Sequence, residues 1–154
     1  MAFLSSMNIA ASGLTAQQLR LDIVAENITN STTTRTEGGE GAYRRKMVVF
    51  QAESGRDSFR EAMARAANGL APNGGDPNAG GVKVAQIVED PSPLKLVYDP
   101  THPDANEEGY VEMPNVDTVK EMTDAMAATQ AYSANVTAFN ALKSVISKGL
   151  EIGR

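Results

Sequence analysis

SGLTAQQLRLDIVAENITN, residues 12–30, carries an apolar stripe whose flanks are Gln, Asn, Ser and Thr instead of Lys and Glu. A helix with one face in water normally places charges on that face. Reading outward, the same character holds from Phe3 to Thr29. It predicts one long helix of about 40 Å, at about 1.5 Å of rise per residue. Met7, Leu14, Leu21 and Ile28 recur at heptad intervals, with Leu4, Ala11 and Ala25 to one side and Ala10 and Val24 to the other. Such a repeat points to helix-on-helix packing. The run Asn30-Ser31-Thr32-Thr33-Thr34 should end the helix, because these side chains compete for backbone hydrogen bonds.

The far end of the chain mirrors this pattern. Met122, Ala125, Thr129, Tyr132, Val136, Phe139, Leu142, Ile146 and Leu150 predict a second helix, from about Val116 to Glu151. Pro114 breaks what precedes it, and Asp117 is placed to cap its start. From Ala125 to Leu142 no residue is charged, and seven of the eighteen are Ala, so more than one face can be closely packed. Two helices that bury a single seam, inside a self-contained bundle, should show Lys and Glu outside. These do not, and burial on several sides by other subunits explains the pattern better.

The middle, residues 31–115, is different in kind: it holds 22 of the 33 charged residues. YRRKMVVFQ (43–51), VKVAQIVE (82–89) and LKLVYD (94–99) read as strands, and 109–113 as a weaker fourth. Phe59, Ala62, Met63 and Ala66 allow a short amphipathic helix before a Gly/Asn/Pro-rich stretch. Only 19 of these 85 residues are Val, Ile, Leu, Met, Phe or Tyr, too thin a core to cover two long helices. The expected fold class is α+β, with the N- and C-terminal helices paired as an antiparallel coiled coil around a small β-rich central region. Residues 1–30 and 116–154 are expected to form the helical pair. Residues 31–115 are expected to form a central β-containing outer region, with 54–80 a flexible or partly helical insert.

Composition narrows the chemistry. A net charge of −5 with no basic stripe argues against nucleic acid. No Cys means no disulfide, thiol catalysis or thiolate metal site, and one His leaves little for zinc or Ser-His catalysis. The first 19 residues hold no charge, so a basic-headed signal peptide is not expected, and their polar interruptions argue against a membrane span. Asp104, Asn106, Glu108, Gly109 and Val111 fall on calcium-loop positions, but Asn115 stands where the bidentate Glu is required. That segment reads instead as an acidic exposed turn. His102 has no nucleophile near it in sequence, and the adjacent acids Glu89-Asp90 and Glu107-Glu108 point apart. Arg44, Arg45 and Lys46 either guard an edge strand or meet an acidic neighbour. No catalytic residue, cofactor or metal is expected.

SGLTAQQLRLDIVAENITNSTTTR resembles the N-terminal signature of bacterial flagellar axial proteins, the rod, hook and hook-associated subunits. EMTDAMAATQAYSANVTAFNALKSVISKGLEIGR resembles their C-terminal signature. The short length, YRRKMVVFQ and GVKVAQIVEDPSPLKLVYDPTHPDANEEGYVEMPNV are similar to a proximal-rod member. The resemblance implies a structural, non-enzymatic subunit of the flagellar basal-body rod, used for motility and exported by the flagellum's type III apparatus. It implies that the paired helices line the inner tube and that the central region sits outside. Expected partners are other rod subunits and copies of this chain in a helical assembly, with contacts to the export gate or base and to neighbouring rod or ring proteins. Met7, Leu14, Leu21 and Ile28 would face Tyr132, Val136, Phe139 and Ile146, with Met122 and Leu142 in the same interface. Gln17, Gln18 and Asn27 would bond across subunit boundaries. Two alternatives stay open: another axial subunit, or a soluble two-helix adaptor acting by helix-in-groove binding. A wall-cutting hydrolase lacks a convincing acid/base pair.

Overall fold

In chain order the elements are α1 (Ala2–Thr29), β1 (Lys46–Glu53), β2 (Gly81–Glu89), β3 (Lys95–Tyr98), β4 (Tyr110–Met113) and α2 (Thr118–Ile152). The structure is a computed structural model that describes residues 2–36, 41–53, 63, 67 and 80–152. Most of the expected 54–80 insert, with Phe59, Ala62 and Ala66 of its short helix, lies outside the described residues; Met63 and Ala67 are helical.

Several uncharged polar side chains of α1 bond to the helix's own backbone. The Ser12 and Thr15 hydroxyls donate to the carbonyls of Ile9 (2.8 Å) and Ala11 (3.2 Å). Thr29 does the same to Ala25, and the Asn30 amide closes the last turn on Glu26. Asn30 to Thr32 then form a turn, where the sequence places the stop. At the start of α2, Asp117 Oδ1 accepts the Val119 N–H at 3.0 Å, the expected N-cap.

The strands form two separate two-stranded sheets, β1-β2 and β3-β4. β3 and β4 are antiparallel, with Val97 opposite Val111 and Tyr98 opposite Tyr110. β1 starts at Lys46, later than the Tyr43 expected. The Tyr43 and Arg45 N–H groups are taken elsewhere, by the Thr33 carbonyl (3.1 Å) and the Asn115 side chain (2.8 Å). Gly109 likewise lies outside β4, at φ +82°, a left-handed conformation that glycine accepts without a Cβ penalty.

Two compact units divide the chain, and each helix contributes to both. One comprises Met1–Gln17, Phe50–Ala85 and Ala131–Arg154; the other comprises Gln18–Val49 and Gln86–Gln130. The second unit buries Ile23, Val24, Ala42, Tyr43, Val111, Val116 and Ala128. Among the described residues, Ala16 is the buried apolar side chain of the first. There the Ser12 hydroxyl accepts the Val82 N–H at 3.1 Å, fastening α1 to the start of β2.

Candidate functional site

The basic run meets acids, in line with one of the two readings open in the sequence. Arg45 is 7% exposed and faces three carboxylates. Its Nε donates to Glu121 Oε1 at 2.6 Å, while its terminal nitrogens lie 3.6 Å from Asp90 and 3.4 Å from Asp124. Asp124 also takes the Arg20 guanidinium at 3.0 Å. Lys46 pairs with Glu26, and Arg44 stays exposed.

Asn27 completes the cluster, and its placement corrects the expectation that it bonds across a subunit boundary. It is 1% exposed, and all its polar capacity is used within the chain. Its Nδ2 donates to Glu121 Oε2 (3.0 Å) and to the Lys46 carbonyl (2.9 Å). Its Oδ1 accepts the Lys46 N–H and the Tyr43 hydroxyl, both at 2.9 Å. A side-chain amide offers two donors and one carbonyl oxygen, so nothing remains for a neighbour. Gln17 differs: its Oε1 is buried without a partner among the described residues. Gln18 is exposed.

Glu121 is 0% exposed, the more notable in a helix that carries no charge from Ala125 to Leu142. A buried carboxylate is costly unless paired and hydrogen-bonded, and here each oxygen has a protein donor. The cluster therefore ties the last turns of α1, the segment entering β1 and the first turns of α2 into one piece. Its electrostatics show the same closure. Burial, then the Glu26 and Glu121 carboxylates, push the Tyr43 phenol above its ordinary range. Asp90 is held below the usual carboxylate range by the Ser92 hydroxyl and N–H, with Arg45 adding to it.

The acidic segment 104–115 is also committed internally. Asp104 accepts from the Thr34 hydroxyl (2.9 Å) and pairs with Arg35, contacts that hold its carboxyl below the usual range. Asn106 Oδ1 folds back onto the N–H groups of Glu108 and Tyr110. Tyr98 and Tyr110 meet edge to face at 5.3 Å across β3-β4. His102 Nδ1 faces the Asp104 N–H at 3.1 Å. The Asn106 and His102 bonds stabilise the turn within its own loop, while Asp104 fastens that loop to Thr34 and Arg35.

Of the expected interface residues, Met7, Leu14, Leu21, Ile28, Tyr132, Val136, Phe139, Leu142 and Ile146 are half-buried, and Met122 is exposed. The deepest row of α1 runs instead through Ala16, Ile23, Val24 and Asn27. Asn27, Arg45 and Glu121 were not legible as a group, since polar residues so far apart in sequence show no shared spacing. Small residues mark close approaches. A Cβ on Gly13 would lie 2.8 Å from Asn135 Nδ2, and one on Gly81 would lie 2.6 Å from Ser12 Oγ.

Two family models match the chain. "Flagella basal body rod protein" covers residues 7–35, and "Flagellar basal body rod FlgEFG protein C-terminal" covers 107–152. The matches take in both Asn27 and Glu121. Among curated relatives, the flagellar basal-body rod protein FlgC of Bacillus subtilis is 49% identical, with 97% of each chain covered. That of Borreliella burgdorferi is 43% identical over 99% of this chain and 98% of the relative. That of Salmonella typhimurium is 41% identical over the full length of both.

Proposed function

The chain belongs to the FlgC family of flagellar basal-body rod proteins and is a structural subunit of that rod; we propose that it builds the proximal part of it, through its helices. Residues 1–30 and 116–154 pair as an antiparallel coiled coil that lines the inner tube. Residues 31–115 form the outer region. Contacts between the helices support this. In one unit Asn27 bonds Glu121 and Arg20 bonds Asp124, so that advancing along α1 means retreating along α2. In the other, Gly13 lies against Asn135.

The observation that carries the reading is the outward face of α2. Val119 is 74% exposed, Met122 54% and Met126 66%, and they share one helix face with the uncharged Gln130, Ser133 and Thr137. Large apolar side chains in water on a charge-free row are suited to burial by a neighbouring subunit. Contacts that do not close on themselves generate a helical filament. The partners on this reading are copies of this chain, other rod subunits, neighbouring rod or ring proteins, and the export gate or base. The role is mechanical and non-catalytic, without cofactor or metal. The subunit works where the rod crosses the periplasm and reaches it through the flagellar type III apparatus. Among the described residues no helix is long and apolar enough to cross a membrane.

Met122→Glu tests this in a strain whose only copy of the gene carries the change. Met122 already faces water, so the isolated subunit should keep its stability within about 0.5 kcal/mol. Rod assembly and swimming should nevertheless be lost, because an unpaired carboxylate would be buried between subunits. Normal swimming with the variant would defeat the proposed interface.

A further inference from the structure

We infer that the outward face of the β3-β4 pair receives the Val119, Met122 and Met126 row of a second copy of this chain, so that one compact unit carries both halves of a repeating contact. The inference rests on the proposed interface on α2 and names what covers it. All four residues of β3 are exposed. In the register of the pair, Leu96 stands opposite Glu112 and Tyr98 opposite Tyr110. Residues directly opposite share a face, and successive residues alternate between faces. Val111, between Tyr110 and Glu112, is buried on the inner side. Leu96, Tyr98 and Tyr110 therefore form one outward apolar face, exposed by 66, 65 and 41% respectively. Leu96, Tyr110 and Glu112 also line an open groove of about 400 Å³, large enough to admit a Met side chain. This face and the α2 row both belong to the unit Gln18–Val49 plus Gln86–Gln130, and neither covers the other, since both stand exposed. A folded unit with two uncovered apolar surfaces has two contacts to make.

The chemistry of the two surfaces fits them to each other. Thioethers pack favourably against aromatic rings, which sets Met122 and Met126 against Tyr98 and Tyr110. Charge points the same way. Glu107, Glu108 and Glu112 are exposed around the β3-β4 face and form no ion pair among the described residues. Lys120 borders the α2 row, three residues before Thr123, and is the one cation in the sequence from Thr118 to Leu142. It too is exposed and in no ion pair among the described residues. Glu112, on the same face as Leu96, is the acid assigned to it. Pairing like with like would set acid against acid on one surface and Lys120 against Lys120 on the other, whereas unlike pairing brings opposite charges together. A contact between unlike surfaces leaves one of each kind free at the ends of a stack, so copies continue to add.

Leu96→Glu, in a strain whose only copy of the gene carries it, gives the first test. Leu96 faces water in the single chain, so the isolated variant should keep its urea midpoint while rod assembly and swimming are lost. Normal swimming overturns the inference. If Met122→Glu still abolishes swimming in that case, the α2 interface stands and its cover lies elsewhere; if neither does, both readings fall. Cross-linking identifies the partner, because the sequence has no Cys of its own. Basal bodies built from a chain with both Tyr98→Cys and Met126→Cys, mildly oxidised, should yield a ladder of linked copies, and either single variant only monomer. Monomer alone from the double variant, or dimers from a single one, overturns the assignment. Charge reversal decides the matter where the cysteine pair fails to assemble. Glu112→Lys and Lys120→Glu should each shrink the swimming halo by about twofold, and together should restore it. A double variant no better than the singles overturns the pairing.

Discussion

The two ends of α2 differ in what they bury within the chain. Its first turns bury a carboxylate whose oxygens bond Arg45 and Asn27, and its last turns bury nothing completely. The first ten residues, Thr118–Ala127, carry Ala, Thr and Met, and the last ten, Lys143–Ile152, carry Ser, Val, Ile and Leu with Gly149, a modest difference in helix propensity. The larger difference is cover. The start of the helix finds its packing partners within its own chain, as isolated globular domains do. The remainder presents half-covered Phe139, Leu142 and Ile146 and exposed Val145 and Leu150. The start of the helix is thus two-sided: it buries Glu121 and Ala128 inward and leaves Val119, Met122 and Met126 exposed, whereas the far end buries no described residue completely.

The strongest way to break this comparison is Arg45→Ala. It leaves Glu121 buried without its guanidinium, which should cost about 3–5 kcal/mol in urea unfolding monitored by circular dichroism. A loss below about 1 kcal/mol would mean that the anchored end does not depend on the cluster. Asp117→Ala removes the cap on the same end and should cost about 1 kcal/mol. Its effect should appear as faster exchange in the first turn of α2, the turn that carries Glu121. Phe139→Ala probes the other end. A fully buried Phe would cost about 3–5 kcal/mol, but this one is half-covered and should cost no more than about 1 kcal/mol in the monomer. A larger monomer loss would place the end of α2 among the anchored elements.

Acid gives the smallest and most local effect. Asp90, Asp99 and Asp104 sit below the ordinary carboxylate range, held first by the hydroxyls of Ser92, Thr101 and Thr34 respectively. An unfolded Asp titrates near about 3.9, so each contributes stability that is complete above that value. The contribution disappears as pH falls through the lower folded value. All three lie in the Gln86–Gln130 part of the second unit. Thermal melts at pH 7, 4 and 3 should therefore show that unit losing stability only below about pH 4. A decline already evident between pH 7 and 5 would have to arise from other groups.

The long helices and their ends were readable because local physics decides them. Heptad apolar spacing, a charge-free flank, Asp117 before α2 and the Asn/Thr run after α1 act over a few residues, and the structure follows them closely. The order of the four strands was readable too, while their edges shifted. Tyr43 and Arg45 spend their N–H groups on Thr33 and Asn115, partners that strand alternation does not reveal. Asn27 looked like a residue for a subunit boundary because uncharged polar groups on a greasy helix suit such boundaries. It proved to be the internal link between Tyr43, Lys46 and Glu121.

By itself, then, the sequence determined two long helices of a kind that wants cover on several sides, a thin β-containing middle and a resemblance to axial subunits. Which part of each helix is covered within the chain was decided only by tertiary structure. Burial of Glu121 depends on Arg45, Asn27 and Asp90 arriving together from distant segments. Heptad spacing describes a helix face, but what that face meets is fixed by the packing of the whole unit.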